Sequence, residues 1–371
     1  MKYYIIAGEA SGDLHGSNLM KQLFKHDPQA DIRFWGGDLM QQTGGILVKH
    51  YRDLAFMGFA EVVMNLKTIL NNIKFCKTDI LKFQPDVLIY IDYPGFNMRI
   101  AEWAKKQGFK NHYYISPQIW AWKENRIKAI KRDVDKMYVI LPFEKDFYEN
   151  KHGFPVEFVG HPLIDAIHQR PKTDAAHFKK ENGLDERPII ALLPGSRKQE
   201  IAKMLSEMLA VMNDFPEYQF VIAGAPSQEF SFYEQFLTND QVHFISNKTY
   251  DLLSVAHAAL VTSGTATLET ALFKVPEVVL YKGNWISYQI AKRVITLKYI
   301  SLVNLIMDKE VVTELIQNDC NPKKIKAELQ QLLDPAYREK LLQNYEALEE
   351  KLGGDGASEK TAQLIINELK K

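Results

Sequence analysis

Short, nearly uninterrupted apolar runs alternate with helical periodicity along this chain, and the alternation is completed twice. The first half offers strands at 3–7, 32–35, 87–91, 112–115 and 137–141, and the second at 189–193, 219–223, 259–262 and 278–281. Between them apolar positions recur with the helical period, as at 14–24, 98–106, 201–212 and 266–273. Strands that are apolar on both faces and separated by helices specify parallel sheets between helical layers. Two such sets specify an α/β chain with two doubly wound domains. A length of 371 residues suits this at roughly 100–200 residues per domain.

The polar, strand-free stretch 169–187, after Gly160-His161-Pro162, separates the two sets. The expected domains are 1–168 and 169–335. Beyond Pro322 the pattern is purely helical, broken at Asp334-Pro335 and Gly353-Gly354-Asp355-Gly356. Residues 336–371 are expected to pack back on the N-terminal domain or on a partner subunit, which leaves a homodimer open.

Charge narrows the partners. The 46 basic and 46 acidic residues cancel, so the strongly basic footprint of a nucleic-acid protein is missing. Cys76 and Cys320 stand far apart and match no ligand spacing, which argues against a disulfide framework or a zinc site and for a reducing cytoplasm. No apolar run reaches the roughly 18 residues that span a bilayer, and the apolar N-terminus is too short for a signal peptide. The composition is that of a soluble chain, with a membrane-surface role open.

Ligands of open parallel sheets bind at the carboxyl ends of strands, where helix N-termini present free N–H groups. Gly8-Glu9-Ala10-Ser11-Gly12-Asp13 follows the first strand but is neither GxGxxG nor a P-loop. It reads as a cleft-lining loop, or as a glycine turn with Ser11 or Asp13 as cap. Asp92 ends the most hydrophobic strand, where burial raises a carboxyl pKa towards that of a general base; the competing role is a turn residue before Pro94. Leu193-Pro194-Gly195-Ser196-Arg197 offers close backbone approach, a hydroxyl and a guanidinium fork for a diphosphate, unless Arg197 merely pairs with Glu200. Thr262-Ser263-Gly264-Thr265 opens a helix with amides and hydroxyls that suit phosphate, and Glu269 could accept from ribose hydroxyls; the alternative is capping without a ligand. Asp133-Val134-Asp135 spells DxD but reads as a solvated connection, so no metal is expected.

Seven segments occur together in order: 8–13, Ile91-Asp92-Tyr93-Pro94-Gly95-Phe96-Asn97, Ser116-Pro117-Gln118-Ile119-Trp120-Ala121-Trp122, Leu141-Pro142-Phe143-Glu144, Phe158-Val159-Gly160-His161-Pro162, 193–197 and 263–269. This ordered set resembles the lipid-A-disaccharide synthase family across essentially the whole chain. The resemblance implies the GT-B architecture, two Rossmann-like domains facing a cleft, with a helical C-terminal tail. It also implies an inverting, metal- and cofactor-free transfer of 2,3-diacylglucosamine from UDP to 2,3-diacylglucosamine 1-phosphate (lipid X). The product is a β-1,6 disaccharide of lipid A biosynthesis, made at the cytoplasmic face of the Gram-negative inner membrane. Arg197, Gly195, Ser196, Ser263, Gly264, Thr265 and Glu269 would then hold UDP, while Ser11, Gly12 and Asn97 face the acceptor. Asp92 is the preferred base. Many relatives carry a second aspartate where this chain has Gly95, and Glu9, Asp13 and His15 remain rivals.

Diacylated substrates call for an apolar docking surface. Phe56, Met57, Phe59, Val62, Val63, Leu66, Ile69 and Leu70 fall in an amphipathic stretch suited to an interface, or to an ordinary core-facing helix. Residues 120–136 add Lys123, Arg126, Lys128, Lys131, Arg132 and Lys136, a basic face for anionic headgroups or the acceptor phosphate, or a solvated helix. Trp120 and Trp122 suit either an interface or packing. The competing functions are a UDP-sugar epimerase or hydrolase on the same architecture, and a non-catalytic nucleotide-sugar or lipid-binding module.

Overall fold

The computed structural model describes residues 1–53, 66–226, 228–237, 239–283 and 298–371. They form two compact units, residues 1–169 with 352–371, and residues 170–351.

The first unit holds a seven-stranded parallel sheet of β1 (Lys2–Ala7), β2 (Asp31–Gly36), β3 (Ile46–His50), β4 (Val87–Ile91), β5 (Asn111–Tyr114), β6 (Lys136–Val139) and β7 (Glu157–Phe158). Their spatial order is β3-β2-β1-β4-β5-β6-β7. The second unit holds a six-stranded parallel sheet of β8 (Ile189–Leu193), β9 (Gln219–Gly224), β10 (Val242–Ser246), β11 (Ala258–Thr262), β12 (Glu277–Tyr281) and β13 (Glu314–Ile316), ordered β10-β9-β8-β11-β12-β13. The strands β4, β8 and β11 are buried at every position, because helices cover both faces of each sheet. In each sheet the chain first builds outward in one direction, then returns to the starting strand and builds the other way. The reversal falls between β1 and β4 in the first sheet and between β8 and β11 in the second. Such switch points open a crevice at the carboxyl ends of the strands.

The helix Leu66–Phe83 settles part of the amphipathic question. Ile73, Cys76, Ile80 and Phe83 are buried in the first unit's core and Ile69 packs against it, so this stripe faces the sheet. Leu70 is exposed. Phe56, Met57, Phe59, Val62 and Val63 lie outside the described residues, as does the side chain of Leu66. Among the described residues no helix is long and apolar enough to cross a membrane.

The C-terminal helices divide between the units. Pro322–Leu332 and Pro335–Lys351 belong to the second, whereas Ala357–Leu369 joins the first, against the helix Ala10–His26. Glu359 receives Lys25 at 2.9 Å and His26 at 3.0 Å. Asp165 caps this last helix from 191 residues away, accepting from Gly356 N at 2.6 Å and Ser358 N at 2.9 Å.

The DxD string is the solvated link expected only at the exposed Asp135. Asp133 is buried and grips Arg132 through two 2.7 Å hydrogen bonds, while Asp135 pairs with Lys105 and accepts from Asn111 N. Both carboxylates are spent on holding the entry to β6.

Glu277, at the start of β12, is fully buried, and neither carboxyl oxygen has a hydrogen-bond partner among the described residues. Burial pushes its pKa well above the carboxylate range. A group whose pKa is raised on folding contributes most below its unfolded pKa, and that contribution is lost as pH rises through the folded value. Glu277→Gln is therefore expected to flatten the fall in stability above about pH 4.5, with a gain of about 1–3 kcal/mol by pH 8. Urea unfolding of both proteins across pH 5–8 checks this, and parallel pH profiles would refute it.

Candidate active site

Ala7 and Ile91 are direct neighbours at the ends of β1 and β4, so the loops that begin at Gly8 and Asp92 leave the first sheet side by side. Beyond β4 the chain makes a costly turn. Asp92 and Tyr93 both adopt left-handed backbone, φ 42° and 48°, which non-glycine residues rarely do. Three contacts hold it there. Tyr113 Oη and Asn97 Nδ2 each donate to the Asp92 carbonyl at 2.7 Å, and the Tyr93 ring lies over Gly8. A Cβ on Gly8 would stand 2.3 Å from that ring, so only glycine passes beneath it.

The turn leaves the Asp92 carboxyl partly buried beside Glu9, and burial first, then the Glu9 charge, push its pKa up to about 6. It faces a cavity of about 200 Å³ lined by Pro94, Pro117, Ile119, Trp122, Lys123 and Arg126. The segment that lines it is held by Glu144, which stands in the Leu141-Pro142-Phe143-Glu144 segment but received no role from sequence. Its buried carboxylate accepts from Ser116 Oγ at 2.5 Å, Trp120 Nε1 at 3.2 Å, and the Ile140 and Leu141 amides. A glutamate at the third position of a helix that opens on Pro142 is the signal that could have marked it. Trp120 thus packs inward, its ring edge-on to Phe143, while Trp122 is exposed.

The other N-terminal candidates separate in role. Asp13 is buried and accepts from Gly37 N at 2.7 Å, Met40 N at 3.0 Å and Leu39 N at 3.1 Å. These bonds cap the helix Asp38–Thr43, a structural task that stands beside its place among the rival bases. Asn97 is fully buried and holds the β4 turn through its Nδ2. Gly12 is also buried, its Cβ position 3.1 Å from that of Ala7, and lets the first helix close on β1. Glu9 and Ser11 are exposed at that helix's start. Burial holds His15 down to about 4, so its imidazole is neutral and a weaker proton acceptor than Asp92.

In the second unit Leu193 and Val261 are neighbours, so 194–197 and 263–269 also emerge together at a switch point. Gly195, at φ 100°, lies against the Glu200 carboxylate, which accepts from Ser196 N at 3.2 Å. Glu200 thus braces the loop; among the described residues Arg197 makes no ion pair, and its side chain is exposed. Gly264 and Thr265 are exposed, with open space over Gly264, at the N-terminus of the helix Thr265–Leu272. Ser263 Oγ donates to Ile300 O at 3.0 Å. Glu269 accepts from Tyr250 Oη at 3.1 Å, and burial raises its pKa.

Residues 3–366 match the family described as lipid-A-disaccharide synthetase. The lipid-A-disaccharide synthase of Geobacter sulfurreducens is 39% identical over 375 residues, covering 99% of this chain and 97% of the relative. That of Syntrophus aciditrophicus is 40% identical over 377 residues, with the same coverage. The chain belongs to the lipid-A-disaccharide synthase family. It is accordingly a hexosyltransferase of lipid A biosynthesis. Among solved structures it resembles UDP-GlcNAc 2-epimerase from Neisseria meningitidis bound to UDP-GlcNAc, at TM-score 0.70 and 15% identity over 100% of both chains. It also resembles the glycotransferase of kitacinnamycin, at TM-score 0.63 and 15% identity over 99% of this chain and 98% of that one. These likenesses give the fold, the α/β GT-B type that the lipid-A-disaccharide synthase resemblance implied.

Proposed function

We propose that this lipid-A-disaccharide synthase relative condenses UDP-2,3-diacylglucosamine with 2,3-diacylglucosamine 1-phosphate, with inversion at the transferred anomeric carbon. Asp92 accepts the proton of the acceptor 6-hydroxyl as its oxygen attacks the donor C1. The C1–O bond to the diphosphate breaks, and UDP departs with the electron pair. The Arg197 guanidinium and the helix-terminal amides near Ser263–Thr265 offset the charge that develops on the leaving diphosphate. Glu269 accepts from the ribose. The observation that carries this reading is a carboxyl held near pKa 6 at the first sheet's switch point, on a chain that matches the family from end to end.

Acylated substrates reside in a bilayer, so the enzyme would work peripherally on the cytoplasmic face of the inner membrane. The exposed Leu70 and the basic face at 123–136 support that placement.

The test incubates purified protein with both substrates, expecting a tetra-acyl disaccharide monophosphate and UDP by mass spectrometry. Consumption of the UDP-sugar without acceptor would point instead to an epimerase or hydrolase. For the donor side, Arg197→Ala is expected to raise the KM for the UDP-sugar about 10- to 100-fold, as loss of charge-assisted hydrogen bonds to phosphate predicts. It should also remove most of the thermal shift given by UDP. An unchanged KM and thermal shift would take Arg197 out of the diphosphate site.

A further inference from the structure

The cavity in front of Asp92 carries two cations whose charge the fold leaves unspent. Several basic residues around them are neutralised: Arg132 by Asp133, Lys105 by Asp135, and Lys151 by Glu124. Lys123 and Arg126 line the cavity, and among the described residues neither makes an ion pair. Both instead lie over one exposed ring. Lys123 Nζ is 4.0 Å from the Trp122 centroid and Arg126 Cζ is 6.0 Å from it. An aromatic face orients cations without neutralising them, which keeps their donors available to a ligand. The single carboxylate of that segment able to compete, Glu124, is drawn away to Lys151 at 2.8 Å.

We infer that Lys123 and Arg126 form an anion-binding wall opposite Asp92 that selects acceptors bearing a phosphate monoester. This deepens the proposed function and rests on it for the identity of the acceptor. The chemistry is self-consistent. A sugar whose 6-hydroxyl meets a carboxylate and whose anomeric oxygen carries a dianion needs opposite electrostatics at its two ends. Asp92 supplies one and the Lys123–Arg126 pair the other. A guanidinium and an ammonium together match a dianion in charge, and the guanidinium adds a planar fork for two phosphate oxygens. The same cations suit an anionic lipid headgroup, so the experiment separates the two sources.

Wild type, Lys123→Gln/Arg126→Gln and the charge-keeping Lys123→Arg/Arg126→Lys are compared in mixed detergent micelles. The acceptors are 2,3-diacylglucosamine 1-phosphate and the same sugar without its phosphate. The double glutamine variant is expected to raise the KM for the phosphorylated acceptor about tenfold or more. The KM for the UDP-sugar should stay within about twofold, and the preference for the phosphorylated acceptor should collapse; the charge-keeping variant should retain it. Titration calorimetry with the phosphorylated acceptor reads the same loss without turnover. It therefore supports or overturns the anion wall even if no disaccharide forms, an outcome that would sink only the proposed reaction. Undiminished phosphate preference in the glutamine variant overturns the inference. So does a variant whose sole defect is weaker flotation with phosphatidylglycerol vesicles, since the cations would then serve the headgroups.

Discussion

Asp92→Asn is expected to cut turnover by about 10²- to 10⁴-fold while UDP still binds, and to make the protein more stable at neutral pH. The first effect is the loss of a general base positioned at a strand end. The second follows from the same burial. A shift from 3.8 to about 6 means that the folded state resists ionisation of this carboxyl. Its contribution to stability is fully present below pH 3.8 and is lost as pH rises through about 6. At neutral pH the charge therefore costs about 3 kcal/mol, before any relaxation of the site. Asparagine carries no charge and tolerates left-handed backbone, so it escapes that cost. The pH profile offers a further check: kcat/KM should fall about tenfold per unit below pH 6 in the wild type. A variant that keeps wild-type turnover and its acidic limb would pass the role to Glu9.

Asp13→Ala is expected to destabilise the protein by about 2–4 kcal/mol, because three backbone N–H groups at the start of Asp38–Thr43 lose their acceptor. Asp13→Asn should fall between, since one carbonyl oxygen replaces two. Turnover per folded molecule should stay near wild type in the asparagine variant. Urea midpoints and single-point activity below the transition separate the two roles. A stable but inactive Asp13→Asn would return this residue to the chemistry.

The central architecture was legible because burial on both faces writes itself into composition. Every strand read from apolar runs is present. The four that escaped are β3, β7, β10 and β13, the two edges of each sheet. An edge strand is half solvated, and Ile-Leu-Val-Lys-His or Val-His-Phe-Ile-Ser lacks the continuous apolar signature of β4. The place of Asp92 just past β4 could be read because strand-end placement is a local property. The hydrogen bonds of Asp13, Asn97 and Asp165 could not be read from sequence, since each depends on a partner brought near only by folding. Asp165 and Gly356 are the extreme case, and no window along the chain joins them.

The first unit is finished by residues 352–371, and this dictates the order in which the molecule can mature. A nascent chain that has emerged only as far as Lys351 carries every residue of the second unit but lacks the helix that Asp165, Lys25 and His26 await. During synthesis the unit encoded later can reach its native core earlier. The N-terminal sheet, with Asp92 at its switch point, is sealed only by a helix translated after the whole second unit.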